Sequence, residues 1–194
     1  GDAAALARRL AAGLEGLTSP PASAPPTAAT PAPKRAPGRR ERRLEPMVPP
    51  GVRGDSPEGL DAMLRTRGVV LVVDGYNVSM RAWPHVAVEQ QRRLLSGALA
   101  ELHARLRCTV TVVFDGTDVD GEQQPGRPGV RIVFSSGGEK ADPVIIREVR
   151  AVPERFPVVV VSSDHWVRDH SREAGAKVVP ADALLRVLRV GATG

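Results

Sequence analysis

The sequence predicts an α/β domain with a mainly parallel five-stranded sheet and helices on both faces. Two observations support this prediction. From residue 68 onwards, five short apolar runs alternate with longer segments whose apolar residues recur at helical spacing. The first run, residues 68–73 (GVVLVV), is apolar throughout, as in a strand that is covered on both faces. Strands that alternate with helices in this way form mainly parallel sheets, because each connection crosses one face of the sheet as a helix.

The remaining elements follow in order along the chain. Residues 88–107 carry a stripe of Leu and Ala at helical spacing, which predicts a long amphipathic helix. Asp142 suits the N-cap and Pro143 the first position of a second helix, and Gly175 suits the C-terminal end of a third. The predicted strands are 68–73, 108–116, 129–134, 156–164 and 177–180, and the predicted helices are 88–107, 143–152, 165–176 and 181–190.

The first third of the chain has a different composition. Residues 1–17 are predicted to hold a short amphipathic helix, interpreted as the end of an element that begins upstream. Eleven of the 18 prolines lie between Pro20 and Pro57. Residues 18–59 have few large apolar side chains to offset the entropy of ordering, so they are predicted to be a disordered linker. The folded domain is therefore predicted at residues 60–194.

The positive charge is concentrated near the N-terminus. The net charge is +5, and residues 1–67 carry 11 Lys and Arg against 7 Asp and Glu, whereas residues 68–194 carry 16 against 15. Residues 34–43 (KRAPGRRERR) hold most of the excess. A basic segment of this kind binds nucleic acid by neutralising phosphates and releasing counterions. The alternative is a solvated tail that keeps the protein soluble.

Several classes of protein are excluded. Cys108 is the only cysteine, so the chain holds neither an internal disulfide nor a cysteine-based zinc site. Its apolar runs are much shorter than the roughly 18 residues of a membrane span. Arg8 and Arg9 interrupt the apolar pattern at the start, unlike a signal peptide. These features predict a cytoplasmic protein with no membrane partner.

Aspartates follow the predicted strands at the points where ligands usually bind. Asp74, Asp115 and Asp164 each end a strand pattern, and Asp142 opens the helix after the third strand. Ligands of open parallel sheets bind beyond the carboxyl ends of the strands. Carboxylates that converge there repel one another, and a hard divalent cation relieves that repulsion. The alternative for each Asp is a turn residue or a helix cap.

Four short motifs in this order, VDGYN, VVFDG, EKAD and VVSSD, resemble the NYN/YacP-like branch of the PIN-domain ribonucleases. The resemblance covers about residues 68–190. It implies a PIN-like three-layer fold with strand order 3-2-1-4-5. It also implies a metal-dependent endoribonuclease that uses Mg²⁺ or Mn²⁺ and takes RNA as its partner. Association with the ribosome stays open.

The resemblance assigns roles to particular residues. Asp74 matches the family's first-strand acid, Asp142 the acid that opens the central helix, and Asp164 the fourth-strand acid. These three are the implied catalytic residues and metal ligands. Asp115 matches the second-strand acid and is the fourth implied ligand.

Other residues are candidates for contacts with the substrate. Asn77 and Ser163 match polar positions beside the acid cluster. Arg81 lies close to the first motif and is a candidate phosphate contact. Lys140, which stands where the family usually has Thr, brings a further cation next to Asp142.

Two alternative functions remain open at this level. One is an RNA-binding protein with a PIN-like fold and little or no cleavage activity. The basic tail favours it, as do Lys140 and Ile146, the latter at a position where many relatives carry Glu. The other is a phosphohydrolase with Asp74 as nucleophile, but the second acid of that chemistry is replaced by Tyr76. For Tyr76 and Trp166, base stacking and ordinary packing are both possible interpretations.

Overall fold

The computed structural model of the protein describes residues 43–116, 127–135 and 140–191, with side chains up to residue 188. Within these ranges no helix is long and apolar enough to cross a membrane. The strands are β1 (Val70–Asp74), β2 (Thr109–Phe114), β3 (Val130–Phe134), β4 (Val158–Val161) and β5 (Lys177–Val179). The helices are α1 (Pro57–Leu64), α2 (Gly75–Ala82), α3 (Val88–Leu106), α4 (Ala141–Ala151), α5 (His165–Glu173) and α6 (Ala181–Gly191).

The strands form one sheet in the order β3-β2-β1-β4-β5, and every neighbouring pair is parallel. Val72 of β1 lies between Thr111 of β2 and Val160 of β4. The predicted parallel sheet and its strand order are both confirmed. Because all the strands run in one direction, the residues that follow β1, β2 and β4 meet at the same edge of the sheet.

Helices cover both faces of the sheet. Leu71 and Val73 of β1 pack with α1, α2, α3 and α6, whereas Val72 packs with α4 and α5. Neighbouring residues of β1 therefore point to opposite faces, as the two-residue period of a strand requires. This arrangement is the predicted three-layer fold.

Helix α2 is absent from the sequence-based prediction. It starts directly after β1, where the Asp74 carboxylate accepts a hydrogen bond from the backbone N–H of Asn77. It is only eight residues long and opens with Gly75, which is typical of a turn. Gly75 is required by packing, because a Cβ there would lie 2.4 Å from ring carbons of Phe114. A short helix with this start has no clear sequence pattern.

Helix α1 crosses the predicted domain boundary, because residues 57–59 belong to the predicted linker and residues 60–64 to the predicted folded domain. It has an ordinary helix start, since Ser56 accepts a hydrogen bond from the Gly59 N–H and Pro57 opens the helix. Leu60, Met63 and Leu64 of α1 are fully or almost fully buried in the core. The described part of the predicted linker, residues 43–59, thus includes the first turn of α1.

Residues 43–56, here called the strap, pack against the amino-terminal edge of the sheet. The backbone N–H of Leu44 donates to the carbonyl oxygen of Glu154 at 3.0 Å. The backbone N–H of Met47 donates to Oγ1 of Thr66 at 3.0 Å. Backbone hydrogen bonds and salt bridges thus hold a proline-rich segment that buries little apolar surface.

Arg43 is the main anchor of the strap. Its guanidinium donates hydrogen bonds to the carbonyl oxygens of Val149 and Val152 at 3.0 Å and of Phe156 at 3.2 Å. These carbonyls lie at the C-terminal end of α4 and in the turn before β4, where helix carbonyls otherwise lack partners. The other residues of the basic segment 34–43 lie outside the described residues, as do the predicted helix at 1–17 and residues 18–42.

The predicted start of α4 needs a correction. The helix begins at Ala141 and its N-cap is Lys140, which makes no capping hydrogen bond through its side chain. Asp142 therefore lies in the first turn of the helix and is not the N-cap. Pro143 follows it inside the first turn, where a missing backbone N–H costs nothing.

Candidate active site

Asp74 is a buried carboxylate at the carboxyl-terminal edge of the sheet. It is the last residue of the central strand β1, and only 7% of it is exposed. The pKa of Asp74 is raised to about 6, mainly by burial and in part by the negative charges of Asp142 and Asp164, against the lowering effect of its hydrogen bonds. A carboxylate that titrates close to neutral pH is common in active sites.

A hydrogen-bond network joins Asp74 to the end of β4. The hydroxyl of Ser162 donates to Oδ2 of Asp74 at 2.8 Å, and the backbone N–H of Asp164 donates to the same hydroxyl at 3.0 Å. The backbone N–H of Ser163 donates to Oδ1 of Asn77 at 2.9 Å. Ser162, which is fully buried, therefore links two of the predicted catalytic acids. The sequence-based prediction named Ser163 and missed Ser162, although both belong to the VVSSD motif.

Asp164 and Asp142 lie at the starts of two helices on the same face of the sheet. Asp164 is the N-cap of α5, where its Oδ1 accepts a hydrogen bond from the Val167 N–H at 3.0 Å. The pKa of Asp142 is raised mainly by burial and also by the negative charge of Asp164, while Lys140 acts in the opposite direction. The two side chains are thus near enough for their charges to repel.

Asp115 completes the group of acids. It follows β2, and its Oδ1 accepts a hydrogen bond from the hydroxyl of Ser135 at 3.0 Å. Burial raises the pKa of Asp142 and of Tyr76, and the negative charge of Asp115 adds to both shifts. All four predicted acids therefore lie at one edge of the sheet. The negative charges of neighbouring acids contribute to the raised pKa values of Asp74 and Asp142.

The chemistry of these side chains fits a hard divalent cation. Carboxylate oxygens are the ligands that Mg²⁺ and Mn²⁺ prefer, and a cation would relieve the repulsion that raises the pKa values of Asp74 and Asp142. In the described part of the chain, no three Asp, Glu, His or Cys side chains are placed so that they share one ion. Binding one ion by three of these acids would therefore require a side chain to change rotamer.

Comparison with known proteins identifies the family. The family model of the YacP-like NYN domain matches residues 71–192, which is more than half of the chain. The chain belongs to the YacP-like NYN family. A solved structure of Rae1 (YacP) from Bacillus subtilis is 28% identical to it, with a TM-score of 0.54 over 64% of this chain and 75% of that chain. A mutant form of Rae1 is 25% identical, with a TM-score of 0.54 over 64% of this chain and 76% of that chain. No curated protein sequence matches the chain.

The match confirms the resemblance that the four motifs indicated. The YacP-like NYN domain has a fold of the ribonuclease type, and the observed sheet and layers agree with it. The matched range begins inside β1, so the strap and α1 lie outside it.

The residues predicted to contact the substrate differ in their exposure and in their present partners. Arg81 forms an exposed ion pair with Asp182 of α6, with 3.4 Å between Nη1 and Oδ2. Lys140 is exposed beside Asp142. The hydroxyl of Ser163 accepts a hydrogen bond from the Ala181 N–H at 3.2 Å, which joins the end of β4 to α6. Contact of these residues with a substrate stays a prediction.

Three aromatic side chains, Tyr76, Phe114 and Phe134, form a row where α2 begins and β2 and β3 end. Tyr76 packs on Phe114 with ring centroids 5.1 Å apart, and Phe114 stacks on Phe134 at 5.9 Å. Arg92 lies over Phe134, with its guanidinium carbon 5.7 Å from the ring centroid. Its positive charge also lowers the pKa of Tyr76. Tyr76 therefore has a packing role, and Arg92 is a cation near the site that the helical pattern did not single out.

Proposed function

We propose that this domain is a metal-dependent endoribonuclease that hydrolyses RNA phosphodiester bonds at its aspartate cluster. One observation carries the proposal: in a member of the YacP-like NYN family, the charges of Asp142 and Asp164 act on a buried Asp74 whose pKa is about 6. This grouping of acids at a sheet edge costs stability, which favours a catalytic role over a structural one.

The proposed cation is Mg²⁺ or Mn²⁺, held by Asp74, Asp142 and Asp164, with Asp115 as a further ligand. When bound, such a cation lowers the pKa of a coordinated water and offsets the charge of a phosphate. The remaining roles belong to the chain itself. Ser162 and the Asn77 N–H hold the Asp74 carboxylate in one orientation, because each donates to a different oxygen of it.

The side chains around the acids bind and orient the RNA. Asn77 already accepts a hydrogen bond through Oδ1, which leaves its Nδ2–H groups to donate to a phosphate oxygen or to the attacking water. Asp142 orients that water. Lys140, Ser163 and Arg81 contact the flanking phosphates, with Arg81 exchanging its weak exposed pair with Asp182 for a phosphate.

In the proposed reaction, water attacks the phosphorus and the bond to the 3′ oxygen breaks. The departing oxygen takes up a proton, so the products are a 3′-hydroxyl and a 5′-phosphate. Asp74 and Asp142 must be ionised for the cation to bind, since a protonated carboxylic acid is a poor ligand for a cation.

The test is cleavage of a 5′-labelled single-stranded RNA pool by the full chain with Mn²⁺, with Mg²⁺ or with chelator. We expect metal-dependent cutting that Asp74→Asn reduces at least about 100-fold. The matched control is Asp169→Asn, because Asp169 is an exposed acid of α5 paired with Arg172 at 3.0 Å. Equal cleavage by Asp74→Asn and the parent would show that the proposed site is wrong.

A second candidate function is RNA binding with little or no cleavage. Ile146 favours it, because this almost fully buried apolar side chain stands where many relatives are expected to carry Glu. Lys140 favours it as well, since its positive charge lowers the pKa of Asp142 and competes with a cation. RNA that binds the full chain but stays intact with either metal would support this second function.

A further inference from the structure

Trp166 is the one strongly exposed aromatic side chain. The chain has only six aromatic residues, all within the described ranges. Trp166 is 44% exposed, whereas the other five are buried or partly buried. The partly or fully buried aromatic side chains are Tyr76, Trp83, Phe114, Phe134 and Phe156. One of the two largest aromatic side chains of the chain is therefore exposed at the surface.

The ring of Trp166 is held in one orientation. It stacks on the imidazole of His170, one helical turn later, with centroids 3.9 Å apart and planes inclined by 22°. Nδ1 of His170 makes a hydrogen bond with the carbonyl oxygen of Trp166 at 2.8 Å, which fixes the imidazole in turn. One face of the indole is therefore covered by His170. A ring that is already fixed loses little entropy when a ligand stacks on it.

The position of Trp166 places it beside the candidate active site. It is the second residue of α5, and the N-cap of that helix is Asp164. The helix starts at the carboxyl-terminal edge of the sheet, where the four acids lie. The aromatic row of Tyr76, Phe114 and Phe134 belongs to α2, β2 and β3, whereas Trp166 belongs to the helix that follows β4.

We propose that Trp166, supported by His170, is a stacking platform for a base of single-stranded RNA next to the bond that is cut. This inference rests on the proposed function, because it takes RNA as the ligand of the adjacent acids. Every base has an aromatic face, so stacking of this kind holds a single strand without selecting a sequence. Paired bases in a duplex already stack on their neighbours, and the platform therefore favours unpaired segments.

The chain offers a direct optical test, because its two tryptophans can be separated. Trp83→Phe leaves Trp166 as the only indole, and Trp166→Phe leaves Trp83. Both changes are made in full-length Asp74→Asn protein, so that RNA stays uncut, and each protein is titrated with oligouridylate. We expect the RNA to quench the fluorescence of Trp166 and to leave that of Trp83 nearly unchanged.

Affinity gives the second measurement. We expect Trp166→Ala to raise the Kd for oligouridylate about 5- to 150-fold, the range measured when a stacking aromatic is removed. Trp166→Phe keeps a ring and should stay within about 3-fold of the parent. Met47→Ala is the matched control, since Met47 is an exposed apolar side chain of the strap, at the opposite edge of the sheet.

The outcomes separate this inference from the proposed function. Unchanged affinity in Trp166→Ala, together with metal-dependent cleavage by the parent, would overturn the platform and leave the nuclease intact. It would favour a protein partner for the exposed indole. Quenching and weakened binding without cleavage by the parent would support the platform within an RNA-binding protein. A parent protein that binds no RNA would overturn both.

Discussion

At the carboxyl-terminal edge of the sheet, Asp74 is buried among acids, with no salt bridge to it in the described part of the chain. At the amino-terminal edge, by contrast, the anchoring charge belongs to Arg43, and backbone carbonyl oxygens surround it. Burial disfavours the charged form in both cases, since it raises the pKa of Asp74 and lowers that of Arg43. The Arg43 guanidinium donates to several carbonyl oxygens, whereas each oxygen of Asp74 accepts one hydrogen bond from a neutral group.

The two edges of the sheet therefore have different roles. The strap edge satisfies carbonyls at the end of α4 and contributes to stability. The acid edge keeps a charged group in a poorly solvated place, which costs stability and leaves the group ready to bind a ligand. Substitutions at the two edges should therefore separate stability from activity.

The largest expected effect on stability is at the strap edge. Arg43→Ala removes charge-assisted hydrogen bonds to Val149, Val152 and Phe156, so we expect the free energy of unfolding to fall by about 2–4 kcal/mol. RNA cleavage by the fraction that stays folded should not change. Denaturant unfolding and the cleavage assay measure the two effects.

Arg53→Ala is the control for Arg43, because the side chain of Arg53 is 81% exposed and pairs only with Asp55 on the strap itself. Its effect should stay within about 0.5 kcal/mol. Equal stability of the two variants would mean that the strap does not hold the fold.

The next effect concerns the pH dependence of stability at the acid edge. Asp74 ionises near pH 6 in the folded protein and near its usual value of 3.8 in the unfolded chain. The folded state therefore binds the extra proton between these values, and the contribution of Asp74 to stability is fully present below about pH 4 and lost as the pH rises through 6.

We expect the free energy of unfolding of the parent, measured in chelator, to fall by about 2–3 kcal/mol relative to Asp74→Asn between pH 4 and pH 7.5. Subtracting the curve of the variant removes the titration of the groups that do not interact with Asp74. Parallel curves for the two proteins would contradict a raised pKa. The variant should also lose cleavage activity while its stability at pH 7.5 rises relative to the parent.

The smallest expected effect on stability comes from substitutions of two buried serines. Ser162 and Ser171 are both fully buried, but Ser162 donates to Asp74, whereas the hydroxyl of Ser171 has no hydrogen-bond partner within the described residues. Ser162→Ala should cost about 1–2 kcal/mol, and Ser171→Ala should be neutral or slightly stabilising. Loss of the hydrogen bond from Ser162 also raises the pKa of Asp74, so the acid limb of the pH–rate profile should move to higher pH.

A profile of Ser162→Ala that overlays that of the parent would show that Ser162 does not act on the reacting groups. Thermal unfolding of the two variants in the same buffer gives the stability comparison.

The elements that could be predicted are those with a long periodic pattern. The valine-rich runs of β1, β2 and β4 indicate buried strands, and the apolar stripe of α3 follows from a period of 3.6 residues. The eight-residue α2 could not be found in this way, since Asp74 and the packing below Gly75 determine its start. The strap was missed because polar contacts of Arg43 hold it, and these depend on carbonyls more than a hundred residues away.

The sequence predicted the acids of the candidate site but not the hydrogen bonds that join them. Strand ends and the four motifs placed Asp74, Asp115 and Asp164 at one edge, and the sheet brings them there. The link through Ser162 spans 88 residues of sequence, so no local pattern contains it. Asp142 illustrates the opposite error, because a plausible capping motif at the start of α4 predicted the wrong cap.

Gly75 has a consequence for how the VDGYN motif is used to compare sequences. Its lack of a side chain lets α2 approach the ring of Phe114 and the carbonyl oxygen of Val113 more closely than any other residue permits. In a comparison of sequences, Asp74 and Asn77 thus indicate the candidate site. Gly75 instead indicates that α2 packs closely on Phe114 and Val113. A distant homologue that kept both polar residues but replaced this glycine would share the candidate chemistry while having to seat its second helix differently.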